Sequence, residues 1–339
     1  MIHSEVNASP FTSMVRVLDS EDVASLLDLE DVLPVVEDAL IAQSRGTVER
    51  PERPHYDFGV GLDPDLPDEP TGTGLCMPAY VHGNDYTATK LVAVCEGNRD
   101  RGLPTIHAQI ALTDARDGRP VAYMAGTHLT NVRTGCIGGL AARDFAPDGP
   151  VTLAVIGAGT QARWQTRAIN ATTDLESVRV YSPSESRFDC ASDLVEELAC
   201  PVEAVSDSRS AVDGASVVLT ATTATEPVFP GERLTDGSLV IAVGAYTPET
   251  RELDDVTIER ADRIVADVPE EAGETGDLRH HSGVDILEFG ALLDNGDARR
   301  NPAERIVFAS VGTAVLDAAV AEFGYDAAER LGVGTEVSL

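Results

Sequence analysis

Val151-Thr-Leu-Ala-Val-Ile-Gly157-Ala-Gly159-Thr-Gln-Ala162 decides the fold of this chain. A continuous apolar run reads as a buried strand, and the G-x-G-x-x-A loop that follows opens a helix predicted from about Arg163 to Ala171. In that strand–loop–helix setting the first glycine permits a tight turn and the second lets the backbone approach a pyrophosphate. The small third residue lets helix and strand pack. The anion then meets the free N–H groups of a helix N-terminus. Gly157, Ala158, Gly159, Thr160 and Gln161 are therefore candidate dinucleotide-binding residues.

C-terminal to this loop, strands and helices alternate. The pattern predicts strands at Ser177–Tyr181, Val202–Val205, Ser216–Ala221, Leu239–Val243 and Arg263–Ala266, with helices at Phe188–Leu198 and 208–213. Such alternation implies a parallel sheet covered by helices on both faces. The second strand runs into Val180-Tyr-Ser182-Pro-Ser184-Glu-Ser-Arg187, with no acid at its tip to hold ribose hydroxyls. Ser182, Ser184 and Arg187 suit a 2′-phosphate, which favours NADP, and Glu185 leaves NAD open. Thr222, Val243 and Gly244 end later strands, where the nicotinamide half would lie.

N-terminal to the loop the pattern differs. Leu18-Asp-Ser-Glu-Asp-Val is a helix start, followed by apolar residues at helical spacing through Ala42. Tyr56 to Gly74 reads as a loop or hairpin. Strands are expected at Leu75–Tyr80, Ala88–Val94, Ile106–Leu112 and Pro120–Ala125, with Asp117-Gly118 as a hairpin turn. Residues 129–145 read as a tightly packing helix rich in Gly and Ala, and Ile306–Tyr325 as one amphipathic helix.

The 339 residues carry 25 basic against 57 acidic side chains, a formal charge of −32. This excess repels nucleic acid and anionic membrane surfaces, so neither is an expected partner. With 43% hydrophobic residues the chain is globular, and its dense carboxylates with scarce lysine suit a protein adapted to high salt. No secretory leader or membrane-spanning run is recognisable. The cysteines (Cys76, Cys95, Cys136, Cys190, Cys200) lack ligand spacing, so they are expected to be buried reduced thiols in a cytoplasmic protein without a metal site. Lys90 is the single lysine, and it falls inside an apolar strand, where an ammonium is costly unless it has a partner or a task.

Several stretches resemble the ornithine cyclodeaminase / mu-crystallin family. They include Leu129-Thr-Asn-Val-Arg-Thr-Gly-Cys-Ile-Gly-Gly-Leu-Ala-Ala-Arg, the glycine loop, Met77-Pro-Ala-Tyr, Thr89-Lys-Leu-Val and Gly97-Asn-Arg-Asp-Arg-Gly-Leu-Pro. Val243-Gly-Ala-Tyr-Thr-Pro-Glu-Thr-Arg-Glu-Leu and Phe308-Ala-Ser-Val-Gly belong with them. The resemblance implies an α/β subunit in which a Rossmann domain (131–311) is inserted into an α+β substrate-binding and dimerisation domain (1–130 plus 312–339). It also implies a homodimer, a nicotinamide cofactor and an α-amino or α-imino acid substrate.

Carried over residue by residue, the resemblance makes Arg53, Lys90 and Arg133 the cations that hold the substrate carboxylate. A lysine beside two arginines would lose its proton more readily, which suits proton transfer at the substrate nitrogen. Thr313 is expected to face the nicotinamide or substrate, and Thr134 to reach a phosphate. One departure matters: cyclodeaminases carry a catalytic aspartate after Val-Gly-Gly, whereas this chain has Val243-Gly-Ala-Tyr246. Tyr246 and Lys90 then become the candidate catalytic groups, and reduction of a preformed cyclic imine, such as 1-pyrroline-2-carboxylate, is expected ahead of ornithine deamination. An alanine dehydrogenase-type oxidoreductase and a non-catalytic, mu-crystallin-like binder are the other readings the family allows.

Overall fold

The computed structural model describes residues 14–281, 283–297 and 301–339. By contact the chain divides into two compact units: Met1–Asp28 with Val48–Thr130 and Asp317–Leu339, and Leu29–Thr47 with Asn131–Leu316.

The first unit is built on a mixed sheet. Its strands are β1 (Met14–Leu18), β2 (Val48–Glu49), β3 (His55–Phe58), β4 (Gly72–Val81), β5 (Tyr86–Val94), β6 (Ile106–Asp114) and β7 (Pro120–Ala125), with β16 (Thr335–Ser338) at the chain end. The order is β16-β1-β7-β6-β5-β4-β2, with β3 also on β4; β1 and β7 are parallel, and the other pairs antiparallel. Helix α1 (Ser20–Leu26) starts at Asp19, whose carboxylate accepts the Glu21 and Asp22 amides in a capping box. Period-two alternation puts Leu18, Met124, Ile110, Lys90 and Met77 in one buried row across the sheet. The terminal helix α10 (Ala314–Leu331) contributes its residues from Asp317 onward to this unit. Gly324 brings it against Leu27 and Met124.

The second unit is a doubly wound α/β sandwich. Its strands are β8 (Val151–Ile156), β9 (Leu175–Tyr181), β10 (Val202–Ala204), β11 (Val217–Thr220), β12 (Leu239–Ala242), β13 (Arg263–Ala266), β14 (Ile286–Glu288) and β15 (Ile306–Ala309). They run parallel in the order β10-β9-β8-β11-β12-β15-β13-β14. The helices are α2 (Leu29–Ser44), α3 (Gly126–Phe145, from Asn131), α4 (Thr160–Thr172), α5 (Ser186–Glu197), α6 (Ser208–Val212), α7 (Asp255–Glu259), α8 (Pro269–Glu274) and α9 (Phe289–Asn295). The strand order reverses between β8 and β11, so the crevice beyond their carboxyl ends is the ligand site such sheets provide. Burial of Val217–Thr220, Leu239–Ala242 and Ile306–Ala309 throughout explains why these strands read as unbroken apolar runs.

Three readings of the sequence need revision. Ile306–Ala309 is not the start of the terminal helix but a buried strand between β12 and β13; four apolar residues carry no periodicity that separates the two states. The N-terminal helical stretch is two helices, α1 and α2. The second packs with the second unit, where Gly290 of α9 lies so close to the Leu40 carbonyl that a Cβ would overlap it. All five cysteines are free, but Cys76, Cys95 and Cys200 are only half-buried.

Candidate active site

The glycine loop leaves β8 at the strand-order reversal. Gly157 has φ +115°, and a Cβ there would overlap the Ala221 carbonyl oxygen, so both conformation and space require glycine. Gly159 is the N-cap of α4, makes no side-chain cap, and has no neighbour within 4 Å of where a Cβ would stand. The backbone is thus bare where a pyrophosphate would approach, and the loop fits a dinucleotide. Ala162 is fully buried beneath. Arg163 braces the loop by donating to the Ala158 carbonyl at 2.6 Å while pairing with Asp193. The Gln161 side chain, next on the helix, donates its amide to Asn131 at 2.9 Å. The Thr134 carbonyl accepts from Gln165 at 2.6 Å, a bond that leaves the threonine hydroxyl uncommitted to it. Behind them α3 and α4 touch backbone to backbone, with a Cβ at Gly135 or Gly139 standing 2.9 Å from the carbonyl oxygens of Trp164 or Ala168.

Past the tip of β9 the structure gathers hydroxyls. Ser184 Oγ lies 2.6 Å from Ser186 Oγ and 3.3 Å from Ser182 Oγ. The Arg187 guanidinium donates to the Ser184 carbonyl at 2.6 Å and lies 4.4 Å from the Phe188 ring, which fixes it at the same corner. Glu185 is 86% exposed and lies at the rim.

Two strand ends farther along, a carboxylate that sequence reading missed organises the backbone. Glu252 is fully buried, and its Oε1 accepts the Thr222 amide at 2.6 Å. Its Oε2 accepts the Gly244 amide and the Thr220 hydroxyl, both at 2.8 Å. Asp277, buried beside it, accepts the Glu252 and Leu253 amides at 2.7 Å. Burial, then the neighbouring Asp277 charge, pushes the Glu252 carboxyl up to about 7, and burial pushes Asp277 up to about 6. Val243, half-buried, precedes the tethered Gly244, and Tyr246 follows as a 44% exposed side chain on the same turn.

Arg133, on α3, is 6% exposed. Its Nη1 lies 3.0 Å from where a Gly312 Cβ would stand, and Gly312 has φ +72°, so the backbone conformation requires glycine and a side chain there would press on the guanidinium. A second unforeseen acid, Asp267 at the end of β13, fixes that turn by accepting the Ser310 hydroxyl at 2.7 Å and the Val311 and Gly312 amides at 3.0 and 2.9 Å. Thr313 is fully buried and donates to Gln43 at 2.7 Å, so its hydroxyl serves the α2 contact.

In the first unit Lys90 is 2% exposed, and its Nζ donates to Asp317 of α10, itself 1% exposed, at 2.5 Å. The lone lysine therefore has an acidic counter-charge, where the sequence suggested only cationic neighbours. Arg53 is half-buried on the segment entering β3, whose Pro54 carbonyl binds the Cys76 amide of β4; the next residue of β4, Met77, pairs with Lys90. Two of the missed acids share one signal: Asp267 ends the run Ile-Val-Ala-Asp, and Asp317 interrupts an apolar helix face. An acid in an apolar pattern asks for a partner.

The profile of the Ornithine cyclodeaminase/mu-crystallin family matches residues 14–331. A Delta(1)-pyrroline-2-carboxylate reductase of Bacillus cereus is 34% identical over 275 residues, 78% of this chain and 84% of that protein. The solved structure of the Thermococcus litoralis Delta(1)-pyrroline-2-carboxylate reductase, in complex with NADH and L-proline, superposes with a TM-score of 0.87 at 28% identity, covering 95% of this chain and 100% of that one. An archaeal alanine dehydrogenase dimer with bound NAD gives 0.86 at 28% identity, over 96% and 99%. The two-unit architecture, the glycine loop at the strand reversal and these similarities agree: the chain belongs to the ornithine cyclodeaminase/mu-crystallin family.

Proposed function

We propose that this protein is an NAD(P)H-dependent reductase of small cyclic imino acids, 1-pyrroline-2-carboxylate among them, giving an amino acid such as L-proline. The observation that carries the reading is the single lysine, buried in a sheet and held at 2.5 Å by Asp317, in a chain 34% identical to a reductase of that substrate. An ammonium carries three N–H donors on one compact charge and can also give up a proton. Arg53 and Arg133 bind the carboxylate, each offering a planar fork that an ammonium lacks. Lys90 donates the proton that the ring nitrogen gains as C=N becomes CH–NH, and it recovers that proton from solvent; Tyr246 stands as the second proton carrier. Bound NADPH or NADH supplies the hydride accepted by the C=N carbon. No aspartate occupies the position of Tyr246, which argues against ornithine deamination.

The glycine loop residues Gly157, Ala158, Gly159 and Thr160 hold the pyrophosphate, and Thr222, Val243 and Gly244 flank the nicotinamide half. The hydroxyl cluster of Ser182, Ser184 and Ser186 with Arg187 favours NADP, because it offers donors to a 2′-phosphate, with the Glu185 carboxylate 3.4 Å from the guanidinium at the exposed rim. A homodimer is supported by the outer face of the first unit's sheet, which exposes Val17, Tyr56 and Tyr123, and by the dimeric alanine dehydrogenase neighbour. Five free cysteines suit the reducing cytoplasm. Among the described residues no helix is long and apolar enough to cross a membrane.

The test is oxidation of NADPH and NADH against a panel of cyclic and linear imino acids, with ammonia release from ornithine followed in parallel. Lys90→Met should abolish imine reduction and leave cofactor binding intact. Retained turnover in that variant would remove Lys90 from the reaction, and ammonia release without net cofactor change would replace the reductase by a cyclodeaminase.

A further inference from the structure

Glu252 does not touch the solvent side of the crevice, yet it holds the backbone of the two adjacent strand ends where the nicotinamide half is placed. One oxygen takes the amide after β11, the other the amide after β12. The register leaves little slack, because a Cβ at Gly244 would overlap the Thr222 carbonyl oxygen. Asp277 fixes Glu252 in turn through two backbone amides.

We propose that Glu252 is a positioning residue whose ionised carboxylate sets the two turns that receive the nicotinamide half of the cofactor, so that dinucleotide affinity falls when Glu252 takes up a proton. This rests on the placement of the cofactor given above.

The hydrogen bonds state why protonation matters. An ionised carboxylate only accepts, and all three of its partners here can donate. A proton on Oε2 can be received by Thr220 Oγ1, which then turns from donor to acceptor. The Gly244 amide is left on a hydroxyl oxygen, a weaker acceptor than a carboxylate. The turn after β12 loosens, and Thr222 and Gly244 lose their common anchor. Asp277 is the charged group beside Glu252, and Arg251 and His281 act on Asp277. Burial and Asp277 bring the Glu252 carboxyl up to about 7, so the change falls near neutral pH.

The experiment is NADH binding by fluorescence titration from pH 6 to 8. NADH is chosen because it lacks the 2′-phosphate of NADPH, whose own ionisation near pH 6 would intrude. The wild-type Kd should rise about tenfold from pH 8 to pH 6, the equivalent of one weakened buried hydrogen bond. Glu252→Gln should bind about tenfold more weakly at pH 8 and show no pH dependence, since its amide cannot accept from Gly244. A residue that only supports the fold would raise Kd equally at every pH. Asp277→Asn keeps an oxygen for the two amides and removes the charge, so the midpoint of the pH dependence should move down by about one unit. If Glu252→Gln does not fold, the wild-type and Asp277→Asn titrations decide alone. A flat wild-type profile, an unmoved midpoint in Asp277→Asn, or wild-type pH dependence in Glu252→Gln overturns the proposal. Gly157→Val separates the two readings: it must abolish NADH binding, and if it does not, the placement of the cofactor fails rather than the role of Glu252.

Discussion

Replacing Asp317 by alanine tests the central pair of the first unit. Lys90 and Asp317 are 2% and 1% exposed and 2.5 Å apart, so water screens neither. Removing one member of such a pair strands the other charge in a low-dielectric interior, at a cost of about 3–5 kcal/mol. Lys90→Met strands the carboxylate instead and should cost a similar amount. The double variant Lys90→Met/Asp317→Ala strands neither, and methionine restores much of the volume of the lysine stem among Met77, Ile110 and Met124. It should therefore unfold at a urea concentration closer to wild type than either single variant, with a coupling of at least about 2 kcal/mol in the cycle. Urea denaturation followed by circular dichroism measures all four proteins, with an unchanged slope confirming that stability alone has moved. Additivity to within about 0.5 kcal/mol would refute the reasoning, because the two charges would then be acting independently.

Stability should depend on pH through the second unit. Glu252 and Asp277 are raised from 4.5 to about 7 and from 3.8 to about 6, so the folded state holds protons that the unfolded chain has released. Their contribution to stability is full below the unfolded values and falls as pH rises toward 7; the loss between pH 5 and 8 should be several kcal/mol at most, read from urea midpoints, and flat in Glu252→Gln/Asp277→Asn. Gly312→Ala should cost about 1–2 kcal/mol from its positive φ alone and raise the KM of a carboxylate substrate by crowding Arg133; unchanged stability would contradict the left-handed turn. Arg187→Ala should weaken NADPH about tenfold and NADH less than twofold. Equal effects on both cofactors would place Arg187 outside the 2′-phosphate corner.

The parallel sheet was legible because its units announce themselves: apolar run, glycine loop, helix, next apolar run. The loop at 157–162 and the strand Arg263–Ala266 fall where the pattern places them. β15 was not legible, since Ile306–Ala309 has the same composition as a buried helical turn and only its neighbours β12 and β13 make it a strand. Strand β1 was not legible, since its five residues run directly into the helix start at Asp19. Among the site residues, Lys90 stood out by scarcity, and Gly157 and Gly159 by spacing. Asp317 and Asp267 show only as acids in apolar runs, and Glu252 and Asp277 not at all, because in a chain with 57 acids a carboxylate in a polar stretch does not look unusual. Their roles come from tertiary placement: each faces a lysine or backbone amides that the fold brings to it.

The seam between α3 and α4 has a consequence for how this molecule can change. Gly135 and Gly139 face carbonyl oxygens of the opposite helix, so at these two points the contact is made of main chain and has no rotamer to rearrange. Elsewhere in the core a larger residue can be absorbed by neighbouring side chains turning aside. Here a single added methyl must move a whole helix, and α4 carries the glycine loop at its head while α3 carries Arg133. The seam therefore behaves as a welded joint: variants that alter cofactor or substrate preference gradually are to be sought on the loops and strand ends, because along this line the only available changes are none or a displacement of the entire frame.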